Sequence, residues 1–127
     1  MKLYLDADIF LAVIKEEDRY KKSAQLFFET HKEDEFFTSS LTCLEIWFYL
    51  YKNNLKNKAL DAVRSILAMA EVIDYGIREI ESALLLAEHY SLSPADSIHA
   101  IISMETDGIV SSDNSFDKIP ELKRIKF

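Results

Sequence analysis

"KLYLDADIF", residues 2–10, is an apolar run that ends on two carboxylates, Asp6 and Asp8. Leu3, Tyr4 and Leu5 read as the middle of a short buried strand over residues 2–7, and residues 8–15 as the helix that follows it. A carboxylate is a poor strand residue, so Asp6 marks the strand's end. There it either caps the next helix, a task open to Asp8 as well, or serves a site.

Outward from this strand the chain alternates. "RYKKSAQLFFETHKE", 19–33, has helical spacing, and "EFFTSS", 35–40, is a strand running into a serine cap. "LTCLEIWFYLYK", 41–52, is a strongly apolar helix, and "NKALDAVRSILAMA", 57–70, is an amphipathic one. "EVIDY", 71–75, is the third strand and "IREIESALLLAEHY", 77–90, the next helix. "SPADSIHAIISMET", 93–106, opens with a capping serine, a proline in the first turn and an acid, Asp96. "GIVSSD", 108–113, is a fourth strand after a glycine turn, and "LKRIKF", 122–127, a candidate fifth.

Strands separated by helices need crossover connections. They predict an α/β fold: a three-layer α/β/α sandwich whose central sheet is mostly parallel, with four or five strands. In such sheets ligands bind beyond the carboxyl ends of the strands. Asp6 and Asp113 follow strands, and Asp96 opens a helix expected to face the same edge.

Composition bounds the rest. The chain has 127 residues, read as one domain over 1–127, with 49% hydrophobic and 29% charged residues. Cys43 is the only cysteine, which excludes an internal disulfide and suits a reducing cytoplasm. No stretch reads as a signal peptide or approaches the ~20 apolar residues of a membrane span. A net charge of −7 argues against unspecific wrapping of nucleic acid, though not against a nuclease with a local cation.

Each acid has a plain structural reading. Asp96 complements a helix dipole, and Asp113 and Asp117 sit in a polar turn, "SSDNSFDKIP". Glu45 lies either on a polar stripe with Thr42, Tyr49 and Lys52 or inside a largely enclosed helix, where it needs a partner. His99, one turn after Asp96, reads chiefly as a packed or supporting histidine, and a metal-binding Asp–His pair is the alternative. As a set the acids say more. Like charges ~4 Å apart repel by roughly 4 kcal/mol at an effective dielectric of 20. No Lys or Arg adjoins Asp6, Glu45, Asp96 or Asp113, so a divalent cation is the economical remedy. Oxygen-only ligands suit Mg²⁺ or Mn²⁺.

"YLDADIF", "LTCLEIW", "SPADSIHA" and "IVSSDNSFD", in this order and spacing, resemble the PIN domain, and more narrowly the VapC-type toxins of toxin–antitoxin modules. The resemblance covers nearly the whole chain. It implies a Mg²⁺- or Mn²⁺-dependent endoribonuclease with Asp6, Glu45, Asp96 and Asp113 as the catalytic quartet. Asp6, Asp96 and Asp113 are the expected metal ligands, and Ser111 and Asp117 the expected supporting residues. Where the family often has Asn or Ser, this chain has Asp8, whose role stays open. The resemblance further implies an antitoxin partner in the cleft region.

Two other readings stand beside it. "LDAD" is similar to the Asp-x-Asp start of haloacid-dehalogenase-type phosphatases, which would use Asp6 and Asp8. A non-catalytic binding module on the same fold is the other. Lys52, Lys56, Lys58 and Arg64, with Lys123, Arg124 and Lys126, form an RNA approach or a solvated surface. Trp47, Phe48, Tyr49 and Tyr51 exceed what one core face needs and suggest a homodimer.

Overall fold

The computed structural model describes all 127 residues. The elements are β1 (Lys2–Leu5), α1 (Ala7–Ile14), α2 (Lys21–Thr30), β2 (Glu35–Ser39), α3 (Ser40–Lys52) and α4 (Ala59–Met69). They continue with β3 (Glu71–Ile73), α5 (Ile77–Tyr90), α6 (Pro94–Ser103), β4 (Gly108–Val110) and β5 (Arg124–Ile125). Short 3-10 turns cover Lys56–Lys58 and Asn114–Lys118.

All five strands are parallel, in the order β3-β2-β1-β4-β5. The chain therefore builds outward from β1 on one side, then returns to build on the other. The crevice at that reversal lies between the carboxyl ends of β1 and β4. Asp6 leaves β1 at this point and Ser111–Asp113 leave β4 there.

The alternation of β1 divides the core. Leu3 and Leu5 join Ile9, Phe10, Phe27, Ile46 and Leu50 on the α1–α4 side. Tyr4 faces the other way, with Ala100, Ile102, Ile109 and Phe116 on the α5–α6 side. Thr38, fully buried, donates its hydroxyl to the Leu5 carbonyl at 2.8 Å and fastens β2 to β1 next to the crevice.

Several elements are shorter than the sequence suggests. β4 stops at Val110, where the hydroxyls of Ser111 and Ser112 and the Ser112 amide turn to meet Asp6 and Asp8. α2 begins only at Lys21, after an Asp18 turn that takes the Tyr20 amide. Helix α3 also corrects an expectation. It is not enclosed: Leu44, Trp47, Phe48 and Tyr51 are 54–64% exposed, because only the Thr42, Ile46 and Leu50 side meets the sheet.

Candidate active site

Asp6 has two tasks at once. Its Oδ1 accepts the Ala7 N–H at 2.7 Å and caps α1, while its own amide donates to the Val110 carbonyl. Its Oδ2 accepts the Ser111 hydroxyl at 2.8 Å. The residue is 7% exposed. Burial pushes its carboxyl up to about 7, with the Asp8 charge adding to the shift and His99, Ser111 and the Ala7 amide opposing it.

Asp8, one residue into α1, turns toward β4. Its Oδ2 accepts from Ser111 Oγ (3.2 Å), Ser112 N (2.8 Å) and Ser112 Oγ (2.6 Å). Its Oδ1 is buried without any partner. Burial also raises this carboxyl above its ordinary value. Ser111 Oγ has a single hydrogen to share between Asp6 and Asp8, and it accepts the Asp113 amide at 3.0 Å. Asp113 in turn caps the following 3-10 turn through Ser115.

The second half of the site comes from α3 and α6. Ser93 caps α6 by accepting the Asp96 amide at 3.2 Å, which sets Asp96 in the first turn. Burial, then the neighbouring Asp113 charge, raise the Asp96 carboxyl. One turn on, His99 is 1% exposed. Its Nε2 bonds Glu45 Oε1 on α3 and lies 3.5 Å from Asp6 Oδ1. Its Nδ1 meets the Tyr4 hydroxyl at 2.7 Å, and that hydroxyl reaches Ser39 Oγ at 2.7 Å. Burial works against a charged His99, but the Glu45 hydrogen bond and the charges of Asp6, Glu45 and Asp96 outweigh it, so the imidazole titrates above its ordinary value.

Of the residues singled out in the sequence, Asp6, Asp8, Ser111 and Asp113 form one hydrogen-bonded group. His99 links Asp6 to Glu45, and Asp96 lies within electrostatic reach of Asp113, Glu45 and His99. Asp117 stands apart. It is bidentate with Arg124 at 2.9 Å, and Arg124 donates onward to the Ser111 carbonyl at 3.2 Å. Arg124 is thereby removed from the candidate RNA-approach residues, since its side chain is 7% exposed and already paired. Ser112, Tyr4 and Ser39 were not anticipated. The signal available for Tyr4 was its position between Leu3 and Leu5, which turns it alone toward α6.

Residues 3–122 match the family model of the PIN domain. The chain belongs to the PIN domain family. No curated protein matches it in a sequence search. Solved structures do. The PIN domain is similar to Rickettsia felis VapBC2 bound to a promoter DNA fragment, with a TM-score of 0.78 and 20% identity over 99% of this chain and 98% of that one. It is also similar to Mycobacterium tuberculosis VapC20, a sarcin-ricin loop cleaving toxin, at TM-score 0.77 and 17% identity over 91% and 92% of the two chains. DNA-bound VapBC from Salmonella typhimurium follows at TM-score 0.73 and 19% identity over 99% and 98%. At these identities the likeness is one of fold.

As they stand, the side chains do not form a three-ligand cluster around one point, since Asp6 and Asp8 are turned onto hydroxyls and His99. The donor chemistry nevertheless fits a hard cation. The candidates are carboxylate and hydroxyl oxygens, the Asp8 Oδ1 is buried without a partner, and the Asp6 carboxyl is destabilised by its burial.

Proposed function

We propose that this PIN domain is a divalent-cation-dependent endoribonuclease and the toxin of a toxin–antitoxin pair. The observation that carries the reading is the buried Asp6 carboxyl at the β1/β4 crevice, tied through Ser111 to the β4 exit and through His99 to Glu45 of α3. The VapC and VapBC relatives in fold support the toxin assignment.

Asp6, Asp96 and Asp113 would hold a Mg²⁺ or Mn²⁺ ion. Such an ion, when bound, lowers the pKa of a water and stabilises charge that builds on a phosphate. The chain's own residues do the remainder. Ser111 and Ser112 fix the rotamers of Asp6 and Asp8. Glu45 keeps Oε1 on His99 and leaves Oε2 to take a proton from an attacking water. In-line attack then leaves a 5′-phosphate and a 3′-hydroxyl. A groove of about 510 Å³ runs from Glu45 along one stripe of α3 past Phe48, Tyr49 and Lys52. It offers an aromatic face for a base and an ammonium for a phosphate, which a net charge of −7 would otherwise deny to RNA.

Trp47 and Tyr51 form an exposed stripe on α3 outside that groove, with Leu44 between groove and stripe, and suit pairing with a second copy. An apolar groove of about 650 Å³ between α1, α2 and α4, lined by Phe10, Phe28, Ile66 and Met69 and by none of the site acids, suits an antitoxin segment better than the crevice where the resemblance put it. No helix is long and apolar enough to cross a membrane. The phosphatase reading is disfavoured by the family match and by Asp6 itself, whose two oxygens are both hydrogen-bonded in a buried position.

The test is cleavage of a mixed-sequence oligoribonucleotide pool with Mg²⁺ or Mn²⁺, with chelator and with Asp6→Asn and Asp96→Asn. Cation-dependent cutting by the parent, lost in both variants, supports the reading. Equal cutting by parent and variants, or none by the parent, refutes it and leaves the non-catalytic module.

A further inference from the structure

The most connected side chain near the acids is not an acid. His99 is buried on α6, yet its ring bridges two layers of the sandwich, reaching Tyr4 of β1 on one side and Glu45 of α3 on the other. Glu45 sits on a helix face that is otherwise open, with its side chain 35% exposed. A glutamate there has three free torsions and no other hydrogen-bond partner in the structure. Resting on the nuclease reading above, we infer that Tyr4 and His99 are positioning residues that hold Glu45 toward the crevice.

The hydrogen bonds fix the ring's direction. Glu45 Oε1 is an acceptor, so Nε2 must donate. At Nδ1 two arrangements satisfy the atoms. Either Nδ1–H donates to the Tyr4 oxygen and the Tyr4 O–H donates to Ser39, or Tyr4 donates to Nδ1 and Ser39 donates to Tyr4. Both leave Nε2–H on Glu45, so the inference does not depend on the charge of the ring. Tyr4 is itself immovable, being fully buried on the central strand with its hydroxyl on Ser39. The chain Ser39–Tyr4–His99–Glu45 thus carries the rigidity of the sheet to a surface carboxylate. A histidine ring fixed from behind is how supporting groups set the orientation of site ligands elsewhere, and losing one commonly lowers metal affinity or activity by about 10–100-fold.

The variants separate the two ring nitrogens. His99→Gln keeps a donor near the Nε2 position, and His99→Asn keeps one only near Nδ1. Tyr4→Phe removes the hydroxyl and keeps the core ring. Mn²⁺ binding, followed by the loss of the free-ion electron paramagnetic resonance signal, and RNA cleavage are both measured on proteins whose circular dichroism melts show them folded. His99→Asn, which loses the donor to Glu45, should lower kcat by about 10–100-fold with KM for RNA little changed, and Tyr4→Phe and His99→Gln, which both keep that donor but lose the tie between Tyr4 and Nδ1, should show equal losses lying between the parent and His99→Asn. Tyr4→Phe should have no further effect in the H99Q background, where no Nδ1 remains to be held.

A Gln variant as impaired as Asn, a Tyr4→Phe protein equal to the parent, or an unchanged Tyr4 effect in the H99Q background would each overturn the inference while leaving the nuclease reading intact. A parent that binds Mn²⁺ but cuts no RNA ends that reading and the inference that rests on it. A parent that neither binds nor cuts ends both.

Discussion

Replacing Asp6 with Asn should make the cation-free protein more stable at alkaline pH. The Asp6 carboxyl titrates at about 7, some three units above an ordinary aspartate, chiefly because it is buried. Below about pH 3 the group is neutral in both folded and unfolded chains and has no effect. As pH rises from about 4 to about 7, the unfolded chain releases the proton and the folded chain keeps it, so stability falls. Above that range the folded carboxylate carries its full penalty, at most about 4 kcal/mol at 1.36 kcal/mol per unit. That value already includes the attraction of His99, and relaxation around a buried carboxylate reduces the penalty further, so we expect a gain of about 2–4 kcal/mol for the variant. The cap survives, since asparagine caps as well as aspartate, and the new amide nitrogen can donate to Ser111 Oγ. The assay is urea unfolding in chelator at pH ~8.5 and pH ~4.5, where the gain should be complete and reduced to about 1 kcal/mol respectively. Added Mn²⁺ should then stabilise the parent and not the variant. A variant no more stable than the parent at the higher pH, or an equal gain at both, refutes the electrostatic account.

Three further outcomes follow from the same contacts. Ser111→Ala removes a fully buried donor to Asp6 and an acceptor for Asp113, and urea unfolding should show a loss of about 1.5–3 kcal/mol. Gly108→Ala puts a Cβ 2.9 Å from the Lys123 carbonyl, which is backbone and cannot step aside; about 1–3 kcal/mol of destabilisation and faster amide exchange of Ile109 are expected. Arg124→Gln frees a 55% exposed Asp117, whose pairing contributes little to stability, but it also releases the Ser111 carbonyl; Mn²⁺ titration should show weakened binding despite a nearly unchanged melt.

Much of the site's placement was legible because parallel topology is legible. Once strands alternate with helices, Asp6, Asp96 and Asp113 must fall at the carboxyl edge, whatever their rotamers. What the sequence concealed was the internal compensation. The absence of a neighbouring Lys or Arg argued for an ion alone, yet His99, two serine hydroxyls and backbone amides share the task in the folded chain. A lone histidine on an apolar helix does not announce a partner 54 residues away in sequence. The partner of Asp117 was hidden for a related reason: Arg124, seven residues on, lies across a turn that periodicity does not describe. The openness of α3 was equally hidden. Hydrophobic content tells how much a helix can bury, and the number of layers laid over it decides how much it does.

That openness has a spectroscopic consequence. Trp47 is the only tryptophan and is 55% exposed on the outer stripe of α3. Its emission should already be red-shifted in the native monomer and change little on denaturation. A blue shift with rising protein concentration would instead signal that a second molecule has covered it, so intrinsic fluorescence in this protein is a gauge of association, and unfolding is better followed by circular dichroism.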